Sequence, residues 1–195
     1  MNFSNATEKT CDLNSLVSDL ASKDSVTRQR ARESLIAIRS NDVTTALVTE
    51  LTDPREHVRW EAAKALAALR DPVSAPALVH ALEDDSEDVR WLAAEGLVAL
   101  GKAGLMAVLS GLQKRASSTA FCRSAHHVLY GCSQEGNAKT VAPVLTALAG
   151  PEPGISAPPA AYRALVNLKG IHDLSALDVS QFRERTSTLN SGAEY

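Results

Sequence analysis

A chain of 195 residues that is 45% hydrophobic but only 4% aromatic must build its core from Ala, Leu and Val, which suits closely packed helices. A formal net charge of −3 argues against nucleic-acid binding, and three scattered cysteines (Cys11, Cys122 and Cys132) are too few for a disulfide framework. No segment approaches the ~20 continuous apolar residues of a membrane span. The opening MNFSNATEKTCDLNS lacks the basic start and apolar run of a signal peptide, so a cytoplasmic protein without membrane contact is expected.

Residues 1–12 read as a polar, flexible N-terminus. Leu13, Leu16, Val17 and Leu20 then fall at helical spacing and predict an amphipathic helix before Ser22. Three regular units follow with a period of 31 residues. Thr27, Arg28, Ala31, Leu35 and Ile38 are matched by Val58, Arg59, Ala62, Leu66 and Leu69, and again by Val89, Arg90, Ala93, Leu97 and Leu100. A fixed period of this length means a stack of like helix pairs, each burying its apolar face only against its neighbours.

Within the second unit, Val58, Ala62, Ala65, Leu66 and Leu69 form one apolar arc on the first helix. Asp53-Pro54-Arg55-Glu56 and Asp84-Asp85-Ser86-Glu87 predict capping-box starts, with Pro54 in the first turn. Second helices are expected at Val43–Leu51, about Ser74–Leu82, and Leu105–Leu112. A fourth, degenerate unit keeps Phe121, Ala125, Leu129 and Cys132 with one residue inserted, followed by a second helix over Val141–Leu148. GPEPGISAPP, residues 150–159, holds four prolines and two glycines and predicts an irregular loop. Ala160–Leu168 then predicts a fifth first helix, and a closing helix is expected near Leu174–Phe182. The domain reading is one all-α solenoid over residues 13–182, with four to five helix pairs and a polar tail at 183–195.

The pattern Asp53…Val58-Arg59…Ala62-Ala63…Ala65-Leu66, repeated as Asp84…Val89-Arg90…Ala93-Ala94…Gly96-Leu97…Leu100-Gly101, resembles the HEAT-like repeats of the phycobilisome-lyase type. Residues 91–97 and 125–129 are also similar to a group of small bacterial HEAT-repeat proteins. The resemblance implies a right-handed αα superhelix that binds other macromolecules. It also brings the alternative of a bilin lyase, or chromophore-handling subunit, acting with a second chain. One HEAT-like enzyme class, resembling deoxyhypusine hydroxylase, holds iron on His-Glu pairs. The matching positions here are Gln29-Arg30, Trp60-Glu61, Trp91-Leu92 and Arg123-Ser124, so no such pair is present.

Several residues invite a chemical role. Arg28, Arg59 and Arg90 repeat with the period and predict a structural ladder, each fork tied to an Asp or a carbonyl of a neighbouring repeat; a row of anion sites is the functional alternative. Trp60 and Trp91 are expected to pack between repeats, and if exposed they would be the strongest partner anchors in the chain. His126 and His127, with Cys122 a turn earlier, supply too few ligands for a metal site. His126 stands where regular units carry Ala, so it is expected to bridge a repeat boundary or to face a groove.

The second helices carry almost no charge, with Lys114 and Arg115 as the single basic pair, which argues against phosphate binding along them. Thr45, Thr49, His80, Met106 and Ser110 instead predict a groove that takes a helix or loop of a partner protein. By the 31-residue register Thr49, His80 and Gly111 should all point away from the first helices. The functional expectation is a noncatalytic adaptor without a cofactor, acting as a monomer or weak oligomer.

Overall fold

The computed structural model describes residues 13–170, and within them the chain is helical and carries no strand. A short helix, α1, spans residues 13–19. It is followed by α2 (Ser25–Ile38), α3 (Asn41–Glu50), α4 (Glu56–Leu69), α5 (Ala75–Ala81, entered through the 3-10 turn Pro72–Ser74) and α6 (Glu87–Ala99). Then come α7 (Lys102–Arg115), α8 (Thr119–Cys132), α9 (Ala138–Ala149) and α10 (Pro153–Lys169). Among these residues no helix is long and apolar enough to cross a membrane. The helix expected near Leu174–Phe182 lies outside the described residues.

Helices α2, α4, α6 and α8 stack in one row, each against the next, while α3, α5 and α7 pack chiefly on the first helix of the following unit, α4, α6 and α8 in turn. Alanine sets the spacing. Ala31, Ala62, Ala63, Ala93, Ala94 and Ala125 are all buried between first helices, so backbones approach closely while Leu35, Leu66, Leu97 and Leu129 fill the layer beneath. Among the described residues Phe121 is the one large aromatic ring fully buried in this core.

The helix starts differ from the capping boxes read in the sequence. Arg55 and Ser86 are the N-cap residues of α4 and α6, and neither makes a side-chain cap. Asp53 and Asp84 accept instead from the amides of Arg55 and Ser86, at 2.8 Å each, which turns the loop before the helix begins. Pro54 therefore precedes its helix. Glu56 does not fold back; it accepts from Ser86 Oγ of the next unit at 2.7 Å. Asp24 and Ser118 do cap, at α2 and α8.

The first helices α2, α4 and α6 are each followed by a residue at positive φ, and α8 is not. Arg39 and Arg70 adopt φ of 49° and 54°, and the equivalent Gly101 adopts 57°. Only the glycine reaches that region without crowding from a Cβ.

Residues 150–159 are not the loop that their prolines suggest. Helix α10 starts at Pro153, where a missing N–H costs nothing, and continues through Pro158 and Pro159. The carbonyls those prolines leave without helical donors belong to Gly154 and Ile155, both exposed, where solvent is free to serve them. Nor does α10 extend the first-helix row as a fifth member. It packs on α7 and α9, presenting Ala157, Ala161, Ala164 and Leu165 as a small-residue face that fits between them. Packing of that face outweighs the local preference of proline.

Leu97 is fully buried between neighbouring units, and Leu97→Ala should cost about 2–5 kcal/mol through lost transfer energy and a cavity. The shift of the denaturant midpoint at constant slope measures it; a negligible shift would contradict the stacking described.

Candidate functional site

The second helices turn Thr45 and Thr49 of α3, His80 of α5 and Ser110 of α7 to solvent, while Met106 is half-buried against the core. Both threonine hydroxyls are already used: Thr45 Oγ1 donates to the Asn41 carbonyl at 2.9 Å, and Thr49 Oγ1 to that of Thr45 at 3.2 Å. A partner covering them would leave no unsatisfied donor, which keeps the cost of drying this surface low. Gly111 departs from the register. A Cβ there would stand 2.7 Å from the Phe121 ring and 3.1 Å from Val79, so this position faces α8 and α5 instead of solvent. The core of α7 is Leu105, Val108, Leu109 and Leu112, which places its fourth contact one residue earlier than Leu82, the C-cap of α5, would predict.

His80 also lines a cleft of about 400 Å³ with Asp53, Glu83, Asp84, Asp85 and Arg59. Three of these carboxylates are spent. Asp53 takes the fork of Arg55 at 2.7 and 2.8 Å, Asp84 takes that of Arg59, and Glu83 pairs with Arg115. The Arg55 hydrogen bonds hold the Asp53 carboxyl down to about 2. Burial works against ionisation of Glu83, but hydrogen bonds from Ser118 and Arg115 outweigh it and lower its pKa.

The arginine ladder makes one contact that the sequence did not suggest. In every case Nη1 donates to two carbonyls of the loop entering its own helix, not of a neighbouring repeat. Arg28 binds the oxygens of Ser22 and Lys23 (3.0 and 3.2 Å), and Arg59 those of Asp53 and Pro54 (3.0 and 3.3 Å). Arg90 binds those of Asp84 and Asp85 (2.7 and 3.1 Å). The neighbouring repeat supplies the carboxylate. Asp84 receives Nε and Nη2 of Arg59 at 2.7 and 3.0 Å, and Glu61 lies 3.4 Å from Nε of Arg28 while also pairing with Arg32. In the fourth unit Cys122 occupies the arginine position, and its Sγ donates to the Ala116 carbonyl at 3.2 Å, again six residues back. Burial raises the pKa of this thiol, so it is held as the protonated donor.

The two tryptophans are not equivalent. Trp60 is half-buried, with Lys64 Nζ 4.4 Å from its ring centroid and Arg32 5.8 Å away. Trp91 is 54% exposed, which overturns the expectation that both rings pack between repeats. The cause lies in the register: the positions matching Arg32 and Lys64 are Ala63 and Glu95, so nothing long and cationic covers the second ring.

The histidines separate as well. His127 Nε2 sits 2.8 Å from Glu95 Oε1, tying α8 to α6. His126 is exposed and lines another cleft, about 450 Å³, with Cys122, Arg123, Leu148 and Pro153. Among the described residues no group of three or more His, Cys, Asp or Glu side chains is placed to hold a metal ion.

Comparison with protein families matches residues 13–98 and 44–130 to the model for HEAT repeats. A search of curated proteins finds no match. Among solved structures, the chain is similar to the crystal structure of an engineered protein at 22% identity, over 80% of this chain and 79% of that one, with a TM-score of 0.42.

Two outcomes follow from the ladder and its neighbours. Arg59→Ala removes two carbonyl bonds and strands the carboxylate of Asp84, and should cost about 2–4 kcal/mol by denaturant titration. The folded pKa of Asp53 lies below its ordinary 3.8, so its pairing with Arg55 stabilises fully above that pH and is lost as the pH falls towards 2. Arg55→Gln should therefore lower the melting midpoint at pH 7 and have a much smaller effect at pH 2, where the carboxyl is partly protonated.

Proposed function

The chain belongs to the HEAT-repeat family, and on that premise we propose that it is a noncatalytic adaptor or scaffold receiving a helix or loop of a partner protein along its second helices. HEAT repeats generally mediate protein–protein interaction. The observation that carries the reading is the chemistry of the solvated face. Thr45, Thr49, His80 and Ser110 stand where an idle surface would ordinarily carry Lys or Glu for solubility. Ala142 and Thr146 continue the same character on α9. Such a face loses little on drying and fits helix-in-groove docking. The proposed protein works in the cytoplasm, without a cofactor, as a monomer or weak oligomer.

Replacing Thr49 and His80 together with Glu should leave helical content and melting midpoint nearly unchanged, because both side chains are exposed. It should sharply weaken capture of the native partner, since two charges would be buried without counterions. Undiminished capture by the folded double variant would remove the groove from consideration. Covalent colour appearing on a phycobiliprotein acceptor co-expressed with a bilin supply, dependent on this chain, would make it a lyase subunit instead.

A further inference from the structure

We propose that the cleft between α6 and α8 is a carboxylate-binding site, built around an arginine fork that the repeat leaves empty and suited to an acidic side chain of a partner peptide. The inference does not depend on the groove reading.

The ladder itself defines what each fork takes. Nη1 of Arg28, Arg59 and Arg90 holds the loop of its own unit, and the Nε side turns towards the following unit. There Arg28 meets Glu61 and Arg59 meets Asp84 in a two-bonded clasp. Arg90 makes its two carbonyl bonds and, among the described residues, meets no carboxylate.

The register explains why. Ser86 and Ser118 are the N-caps of α6 and α8, so the residue two before the cap is Asp84 in one unit and Ala116 in the other. The position matching Glu61 is Ser124, whose Oγ donates to the Leu82 carbonyl at 3.0 Å. Both places from which a neighbour could deliver a carboxylate are therefore occupied by neutral residues.

What remains open is a cleft of about 160 Å³ lined by Glu87, Arg90, Trp91, Ala94, Arg123 and His127, together with Ser124. Ligand pockets for small molecules span roughly 300–1,000 Å³, so this one suits a side chain. Arg123 is exposed on α8 at the position of Trp60 and Trp91, and makes no ion pair or hydrogen bond among the described residues. It brings a second guanidinium to the same cleft, while His127 is engaged with Glu95. Glu87 opposes an incoming anion from the rim, and two guanidinium groups outweigh it. The exposed ring of Trp91 offers an apolar wall for the chain that carries the acid. Two planar forks beside an aromatic face recognise a carboxylate well.

The test uses the full chain and a fluorescein-labelled, C-terminally blocked octa-L-glutamate, read by anisotropy. Saturable binding is expected, and Arg90→Gln should weaken it about tenfold or more, as loss of a charge-assisted pair does. Ala116→Asp restores the missing carboxylate from within. It should raise the melting midpoint in the native background, not in Arg90→Gln, and abolish octaglutamate binding. Three results would overturn the proposal: affinity unchanged in Arg90→Gln; folded Ala116→Asp that binds the peptide normally; or displacement of the peptide by inorganic phosphate as readily as by acetate at matched ionic strength. Loss of binding in the Thr49 and His80 double variant, with Arg90→Gln still binding, would assign the peptide to the groove and overturn it also.

Discussion

The contact on which each repeat depends is a guanidinium reaching back to the loop that leads into its own helix. Chain entering a helix carries carbonyls with no ladder to join, and here two of them per unit converge on one Nη1. That bond fixes the angle at which loop becomes helix, and so fixes where the alanine face of the helix points. Arg is suited because one nitrogen serves the loop while the rest of the fork is free for the neighbour. Where Cys122 replaces it, the loop bond persists and the link to a neighbour is lost, because a thiol has a single hydrogen to give. Regular stacking fades in the same place: α8 is the last member of the first-helix row.

The same logic separates scaffold from surface in the outer row of first helices. Trp60 and Trp91 hold the same place in successive units, yet one ring is covered by Lys64 and Arg32 and the other is bare beside Glu95. Inner positions repeat because each must fit a neighbour of the same kind. Outer positions are bound by no such rule, and this stack varies them to make one cleft unlike the others.

The stack was legible in the sequence because its signals are periodic and chemically blunt. Ala62, Ala93 and Ala125, or Leu35, Leu66 and Leu97, are small or large apolar residues that recur at fixed spacing and can do little but pack. The Arg residues were visible as a series, but their carbonyl partners were not, since a carbonyl has no letter of its own. The positive-φ turn has a glycine to mark it at Gly101 and no such mark at Arg39 and Arg70, where an unfavourable residue is held by the tight connection around it. Residues 150–159 misled because proline counts against helix locally, whereas the buried face of Ala157, Ala161 and Ala164 acts through α7 and α9, distant in sequence. Thr45, Thr49, His80 and Ser110 were read from an absence of charge, a signal that gives a face without its occupant. Arg90 carries the same letter as Arg59 in the same register, and only their bonding sets them apart.

The seat of α10 limits how such an array can change in length. A solenoid ordinarily grows by repeating a unit at its end, where the last pair offers an open face. In this chain α10 lies against both α7 and α9, so a pair duplicated directly after α9 would have to displace it from α7. A block inserted between the middle units meets no such obstacle, because residues 56–86 begin and end at matching points of the 31-residue register. Adding or removing a whole repeat is thus accommodated from the interior, where each copy carries the arginine clasp and the α7–α10 contact stays intact.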